Sequence, residues 1–221
     1  MTSHPILAAW VGHVRRVPLL AFVILYTILT GGPFAWVALM SLRTTPEILD
    51  APYALPSPAH WGKFADAWTR SSYGVYFWNS VIVVGSAVVL VTIIGAMAAH
   101  ALARFEFRGR TVLRLIVLSG MMVPPQLVIL SLFQILLQLN LYNTLTGLAL
   151  AYVAMQLAMT IYILEGFFAQ LPQDLFDAAR MDGYSDLEIF WRIPLPIGLP
   201  AIFTTVVLNF ILLWNEFLYA V

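Results

Sequence analysis

The sequence predicts an all-α protein, a polytopic membrane helical bundle. Of its 221 residues, 61% are hydrophobic and 10% are charged, whereas an ordinary soluble domain is about 45–50% apolar and about 25% charged. Long apolar runs recur along the chain, and none shows the period-two alternation of a half-buried strand. A water-soluble fold is therefore nearly excluded.

Five segments are long enough to span a membrane. A helix rises about 1.5 Å per residue and the hydrocarbon layer is about 30 Å thick, so roughly 20 apolar residues are needed. The predicted spans are Pro18–Leu42, Trp78–Leu102, Thr111–Leu139, Tyr142–Phe168 and Leu199–Val221. The first should bend at Gly31-Gly32-Pro33, and the third should break at Pro124-Pro125, because proline removes a backbone donor from a helix. Since the last run ends without a polar flank, we expect residues 1–221 to form one transmembrane domain truncated before a sixth span.

Basic residues predict the orientation, because cytoplasmic loops of membrane proteins carry an excess of Lys and Arg. With a cytoplasmic N-terminus, the inner segments hold eight such residues, including Arg15 and Arg16, and the outer segments hold three. The longest predicted outer segment, 43–76, mixes prolines with aromatic residues and should not form a regular helix in its first half. It is interpreted as an interfacial loop or as a docking face for an extracytoplasmic partner.

The sequence of the predicted cytoplasmic loop, 171–196, itself predicts an ordered structure. Pro172 is suited to the start of a helix and Gly183 to the position just after its end. Ser185 and Glu188 have the spacing of a capping box that begins a second short helix. An acidic helix face is disfavoured beside anionic lipid. We therefore expect a helix–turn–helix that binds a protein partner.

One set of residue spacings in this loop matches a known sequence motif. Asp177-Ala178-Ala179 is followed by Gly183 and, after nine further residues, by Ile193-Pro194-Leu195-Pro196. This arrangement resembles the EAA motif in the membrane-spanning subunits of binding-protein-dependent ABC importers, with Asp177 in place of the usual Glu. The segments 101–110 and 214–217 are similar to the MalG-like carbohydrate branch of that family.

The resemblance implies a six-span permease subunit without bond chemistry of its own, in which the EAA loop binds a cytoplasmic ATPase. The coupling contacts implied by the motif are Asp177, Ala178, Ala179, Gly183, Ile193, Leu195 and Pro196. This chain would hold no cofactor, whereas ATP and Mg would bind to an ABC ATPase dimer. A second homologous permease and an extracytoplasmic solute-binding protein would complete the importer. It would move a sugar or related polar solute by alternating access across a bacterial or archaeal inner membrane.

Five polar residues near or within the predicted spans are candidates for a solute pathway. They are Gln126, Gln156, Asn209, Asn215 and Glu216. Polar groups at membrane depth are costly unless they find partners. They either line a hydrophilic path for a hydroxyl-rich solute or form hydrogen bonds between helices.

Other functions are disfavoured by composition and motif. Eleven Lys and Arg balance eleven Asp and Glu, so no basic excess is present to hold a nucleic-acid backbone. Gly62-Lys63 is followed by Phe64, which does not match a Walker A loop. No cysteine is present to form a disulfide or a thiolate nucleophile, and no metal-ligand spacing is apparent. The alternatives are an ATP-independent channel or secondary transporter and, less favoured, an intramembrane enzyme.

Overall fold

The computed structural model describes residues 5–70 and 72–220, with side chains from residue 18 onward. The side chains of Arg15 and Arg16, which contribute to the predicted orientation, lie outside the described residues. Within the described ranges, the regular secondary structure is helical. The helices are α1 (Pro5–Met40), α2 (Thr45–Asp50), α3 (Gly62–Arg70), α4 (Tyr73–Arg104), α5 (Arg110–Met122), α6 (Pro125–Gln138), α7 (Leu145–Phe168), α8 (Gln173–Met181), α9 (Asp186–Arg192), α10 (Pro194–Ile197) and α11 (Leu199–Trp214).

The chain divides into two compact units, Met1–Gly74 and Val75–Val221. In the first unit, α1 continues through Gly31-Gly32-Pro33 without interruption. The segment after α1 is more helical than its prolines predicted, because Pro46 lies in the first turn of α2, where a missing N–H is tolerated. The buried Arg43 orders this segment by donating to the carbonyl oxygens of Glu47 and Ala51.

The second unit is organised around the contact between α4 and α7. One buried cluster joins the first half of α4, around Val84 and Val91, to Tyr152 on α7 and Leu213 on α11. A second buried cluster joins the last turns of α4 to Leu164 and Phe168 on α7 and to Phe190 on α9. The two clusters therefore hold α4 and α7 together along most of their lengths.

Gly95 permits the close approach of these two helices. A Cβ atom at this position would lie 2.6 Å from Cγ2 of Thr160 on α7. Such a separation is far below van der Waals contact, so any larger residue at position 95 would force the helices apart.

The predicted third span is broken more sharply than a kinked helix. The helices α5 and α6 meet at Pro124-Pro125 with an angle of 106° between them. A second bend of 77° separates the α9–α10 segment from α11. In the described part of the chain, three helices are long and apolar enough to cross a membrane, or up to five if each bent pair forms one span.

Candidate functional site

The first helix of the loop ends at a glycine in a left-handed conformation. Gly183 has φ +86°, and its N–H donates to the carbonyl of Arg180 with a nitrogen–oxygen distance of 3.0 Å. The N–H of Tyr184 donates to the carbonyl of Ala179 at 3.1 Å. These two bonds form a Schellman motif, which closes α8 and reverses the chain. The predicted helix end at Gly183 is confirmed.

The second helix begins with the predicted capping box. The Ser185 hydroxyl accepts from the N–H of Glu188 at 3.4 Å, and the Glu188 carboxylate accepts from the N–H of Ser185 at 2.8 Å. The Ser185 hydroxyl also donates to this carboxylate at 2.7 Å. Hydrogen bonds from the Ser185 side chain and backbone lower the pKa of Glu188 below its ordinary value. The turn between α8 and α9 is thus fixed by local bonds.

A small apolar core lies between the two helices of the loop. Phe176 and Ala179 on α8 are buried against Ile189 on α9. Ala179, one of the predicted coupling contacts, therefore faces the protein's own chain, where its small side chain lets the helices approach. Ala178 and Gly183 are exposed, and a Cβ atom at Gly183 would meet open space.

The carboxylate of Asp177 is exposed but held in place. Its Oδ1 atom accepts from the Gln173 side-chain amide at 3.1 Å and lies 3.5 Å from Nη1 of Arg180. The other end of the Arg180 guanidinium lies 3.3 Å from Asp186 on α9. With 59% of its side chain exposed, Asp177 is accessible to an external partner. Surface pairs of this kind contribute about 0–1 kcal/mol, so they orient the carboxylate more than they stabilise the loop.

The segment that closes the loop is half-buried. Ile193 and Leu195 are partly covered, Pro194 is buried and Pro196 is exposed. Ile193 packs against the small core between α8 and α9. Leu195 packs against the cluster at the C-terminal ends of α4 and α7. This part of the predicted motif therefore joins the loop to the helical bundle.

Arg104, at the end of α4, binds the loop from the bundle side. Its Nη2 atom lies 2.5 Å from the carbonyl oxygens of both Phe168 and Leu171, and Nη1 donates to the Gln173 side-chain oxygen at 3.2 Å. The guanidinium also lies 4.2 Å from the centre of the Phe176 ring. Sequence reasoning did not identify this role, although a basic residue at the end of a predicted span was visible.

A second missed contact joins α5 to α7. Nε of Arg114 donates to Oε1 of Glu165 at 2.6 Å, and Nη2 of the same residue donates to the carbonyl of Leu102 at 3.2 Å. Glu165 is 9% exposed. A carboxylate near the end of a predicted span requires a partner, and this requirement was the available signal.

The five candidate pathway residues lie in different environments. Asn209 is buried and donates to Oγ1 of Thr160 at 2.9 Å, so it bonds between α11 and α7. Asn215 donates to the Ile211 carbonyl of its own helix at 2.7 Å. Glu216 is half-buried beside Tyr152, Gln156 is half-buried and Gln126 is exposed.

None of these five residues lines either of the two cavities described in the second unit. One cavity of about 600 Å³ lies beside Arg114 and Glu165, and another of about 410 Å³ lies beside the α5–α6 break. Among the described residues, no group of three His, Asp or Glu side chains is placed to hold a metal ion.

Known proteins match both the sequence and the fold. A family model described as binding-protein-dependent transport system inner membrane component matches residues 91–220. The diacetylchitobiose uptake system permease protein NgcG of Streptomyces coelicolor is 42% identical over 91% of this chain and 67% of the relative. The trehalose/maltose transport system permease protein MalG of Thermococcus litoralis is 34% identical over 93% of this chain and 74% of the relative.

A solved structure has the same fold. It belongs to a bacterial ABC transporter involved in the import of the acidic polysaccharide alginate, with a TM-score of 0.80 and 22% identity. The likeness covers all of this chain and 76% of that one. The chain spans about two thirds of the length of the first curated relatives.

Proposed function

The chain belongs to the family of binding-protein-dependent transport system inner membrane components, and from this premise we propose that it is a permease subunit of an ATP-driven importer. The observation that carries the proposal is the ordered loop between α7 and α11. This loop exposes Asp177, Ala178 and Gly183 while its inner side is bonded to the ends of α4 and α7. A partner that displaces the loop would therefore move the bundle.

The exposed side of α8 supports binding to an ATPase subunit. Asp177 supplies a negative charge, and Ala178 and Gly183 leave room for a partner to approach the backbone. The buried Ala179 sets the spacing between α8 and α9. In this proposal ATP and Mg bind to a cytoplasmic ATPase dimer, and the N-terminus of the permease lies on the same side of the membrane.

Transport would proceed by alternating access. Closure of the ATPase dimer moves the loop, and the loop tilts α4 and α7 through their shared packing. A second permease subunit and an extracytoplasmic binding protein complete the proposed assembly. Because ATP can shift this equilibrium only through differential affinity for the two states, contacts at the loop must change with the nucleotide.

We propose a sugar or a related polar solute as the cargo. The support comes from relatives named for diacetylchitobiose uptake and for trehalose/maltose transport. The candidate pathway residues Gln126, Gln156, Asn209, Asn215 and Glu216 remain predictions for solute contact.

The test is gentle purification of the full-length protein from native membranes, followed by reconstitution. We expect an ABC ATPase, a homologous permease and a solute-binding protein to co-purify. Proteoliposomes should accumulate sugar only when the ATPase and ATP are present. Normal uptake without an ATPase would contradict the proposal and would favour a secondary transporter or channel.

A further inference from the structure

We propose that Arg104 is a positioning residue for coupling, which ties the loop to α4 and orients the Asp177 carboxylate through Gln173. The inference rests on the proposed function and adds a role for a residue outside the EAA motif. All the contacts concerned lie within Val75–Val221.

The Arg104 charge lies where the chain leaves α7. The last carbonyls of a helix have no partner within the helix and carry partial negative charge. Arg104 donates to the carbonyl of Phe168, the last residue of α7, and to that of Leu171, just before α8. One guanidinium therefore fixes the short connection through which the chain passes from the bundle into the loop.

A relay of two hydrogen bonds through Gln173 connects Arg104 to the exposed Asp177. Nη1 of Arg104 donates to Oε1 of Gln173, and Nε2 of the same amide donates to Oδ1 of Asp177. An amide fits between a cation and a carboxylate because its oxygen accepts while its nitrogen donates. The orientation of Asp177 is thus linked to the end of α4, although the two residues are 73 positions apart in the sequence.

The Arg104 side chain also packs against an aromatic ring of the loop. Its guanidinium lies 4.2 Å from the centre of the buried Phe176 ring, which belongs to the core between α8 and α9. A lysine at this position keeps the charge but lacks the planar fork needed for simultaneous stacking and multiple hydrogen bonds. The contact therefore requires arginine, and a movement of α8 is passed to α4 through both packing and charge.

The sharpest variant is Gln173→Glu. It preserves an acceptor for Arg104 but replaces the donor to Asp177 with a second negative charge. Gln170→Glu is the matched control, because it makes the same chemical change at a nearby exposed residue whose amide bonds to Gly166 rather than to Asp177. Arg104→Lys is paired with Arg108→Lys, which alters an exposed arginine on the link between α4 and α5.

The experiment measures solute transported per ATP hydrolysed by the reconstituted importer. We expect Gln173→Glu and Arg104→Lys to lower this ratio severalfold, as for the loss of one exposed polar contact, while the ATPase still co-purifies. The two control variants should keep the wild-type ratio. A wild-type ratio for Gln173→Glu in an intact complex would overturn the relay.

A second measurement does not depend on the ATPase. Amide hydrogen exchange of the full-length protein in lipid nanodiscs should become faster across residues 168–179 in Arg104→Lys, while α11 stays unchanged. Unchanged exchange in this segment would overturn the positioning role. Failure of the proposed function would be recognised separately, because uptake by the wild-type protein would then proceed without ATP.

Discussion

The carboxylate of Glu216 accepts a hydrogen bond from the hydroxyl of Tyr152, with 2.8 Å between the two oxygens. Tyr152 lies on α7 and is 2% exposed, whereas Glu216 follows the end of α11. The same carboxylate accepts from the N–H of Tyr219 at 3.0 Å, and the Tyr219 hydroxyl donates to the carbonyl of Pro125 at the start of α6. Glu216 therefore links the end of α11 to α7, and Tyr219 links the same segment to α6.

Removal of the Tyr152 hydroxyl should weaken this link. We expect Tyr152→Phe to lower the free energy of unfolding by about 1–3 kcal/mol, because it leaves a half-buried carboxylate with fewer donors. Thermal unfolding of the detergent-solubilised protein measures the change. Tyr162→Phe, on an exposed ring of the same helix, should have a much smaller effect; equal effects of both variants would contradict the assigned bond.

Reversal of the charge at Asp177, on the exposed side of α8, should stop transport. We expect Asp177→Arg to abolish ATP-dependent uptake while membrane insertion and expression remain normal, because the partner would meet a charge of the wrong sign. Asp174→Arg makes the same change on an exposed position of α8 and should retain more activity. Unchanged uptake by an assembled Asp177→Arg complex would refute the coupling role.

Two substitutions distinguish the effect of side-chain bulk at Gly183 from the effect of backbone strain. Any L residue there adopts an unfavourable positive φ, at a cost of about 1–2 kcal/mol, although there is space for its Cβ atom. We expect Gly183→Ala to keep the ATPase attached and Gly183→Trp to prevent attachment, as measured by co-purification. Normal attachment of the Trp variant, or equal loss in the Ala variant, would show that close approach at this position is not required.

The capping box should make the start of α9 sensitive to acid. Because the folded-state pKa of Glu188 lies below its ordinary value of 4.5, its contribution is fully present above that value. The contribution is lost as the pH falls through the folded-state pKa. We therefore expect amide exchange at residues 185–189, corrected for intrinsic rates, to lose protection as the pH falls below 4.5. Ser185→Ala should remove the part of this dependence that comes from the hydroxyl, and an identical profile in that variant would contradict the assignment.

The contact between Arg114 and Glu165 should appear as coupling in a double-mutant cycle. We expect Arg114→Gln and Glu165→Gln each to destabilise the protein, since each leaves one charge without its partner. The double variant should be more stable than the sum predicts, by about 0.5–3 kcal/mol. Strict additivity in thermal unfolding would show that the pair contributes no mutual stabilisation.

Features that depend on neighbouring residues were predictable from the sequence. The break at Pro124-Pro125, the glycine that closes α8 and the capping box at Ser185 each involve a few consecutive positions. The fold class is also confirmed, because hydropathy and helical length together indicate membrane spans. The prediction that prolines prevent a regular helix in the first half of 43–76 was wrong for α2, because Pro46 occupies a permitted position in its first turn.

Contacts between distant positions were not predictable. Arg104 and Gln173 are 69 residues apart, Arg114 and Glu165 are 51 apart, and Asn209 and Thr160 are 49 apart. A polar residue in an apolar run indicates that some partner is needed, but the choice of partner depends on how the helices cross. The coupling role of the exposed residues Asp177, Ala178 and Gly183 stays a prediction, and the partner that buries Ala179 depends on where α9 packs.

The close contact at Gly95 and Thr160 has a mechanical consequence. The 32 residues of α4 form a rod roughly 48 Å long, at about 1.5 Å per residue, and Gly95 lies about two thirds of the way along it. The tight crossing at that place leaves no room for α4 to slide past α7, and the buried clusters on both sides of it hold the two helices together. A sideways push near Arg104 would consequently displace α4 and α7 as one unit rather than rock one helix against the other.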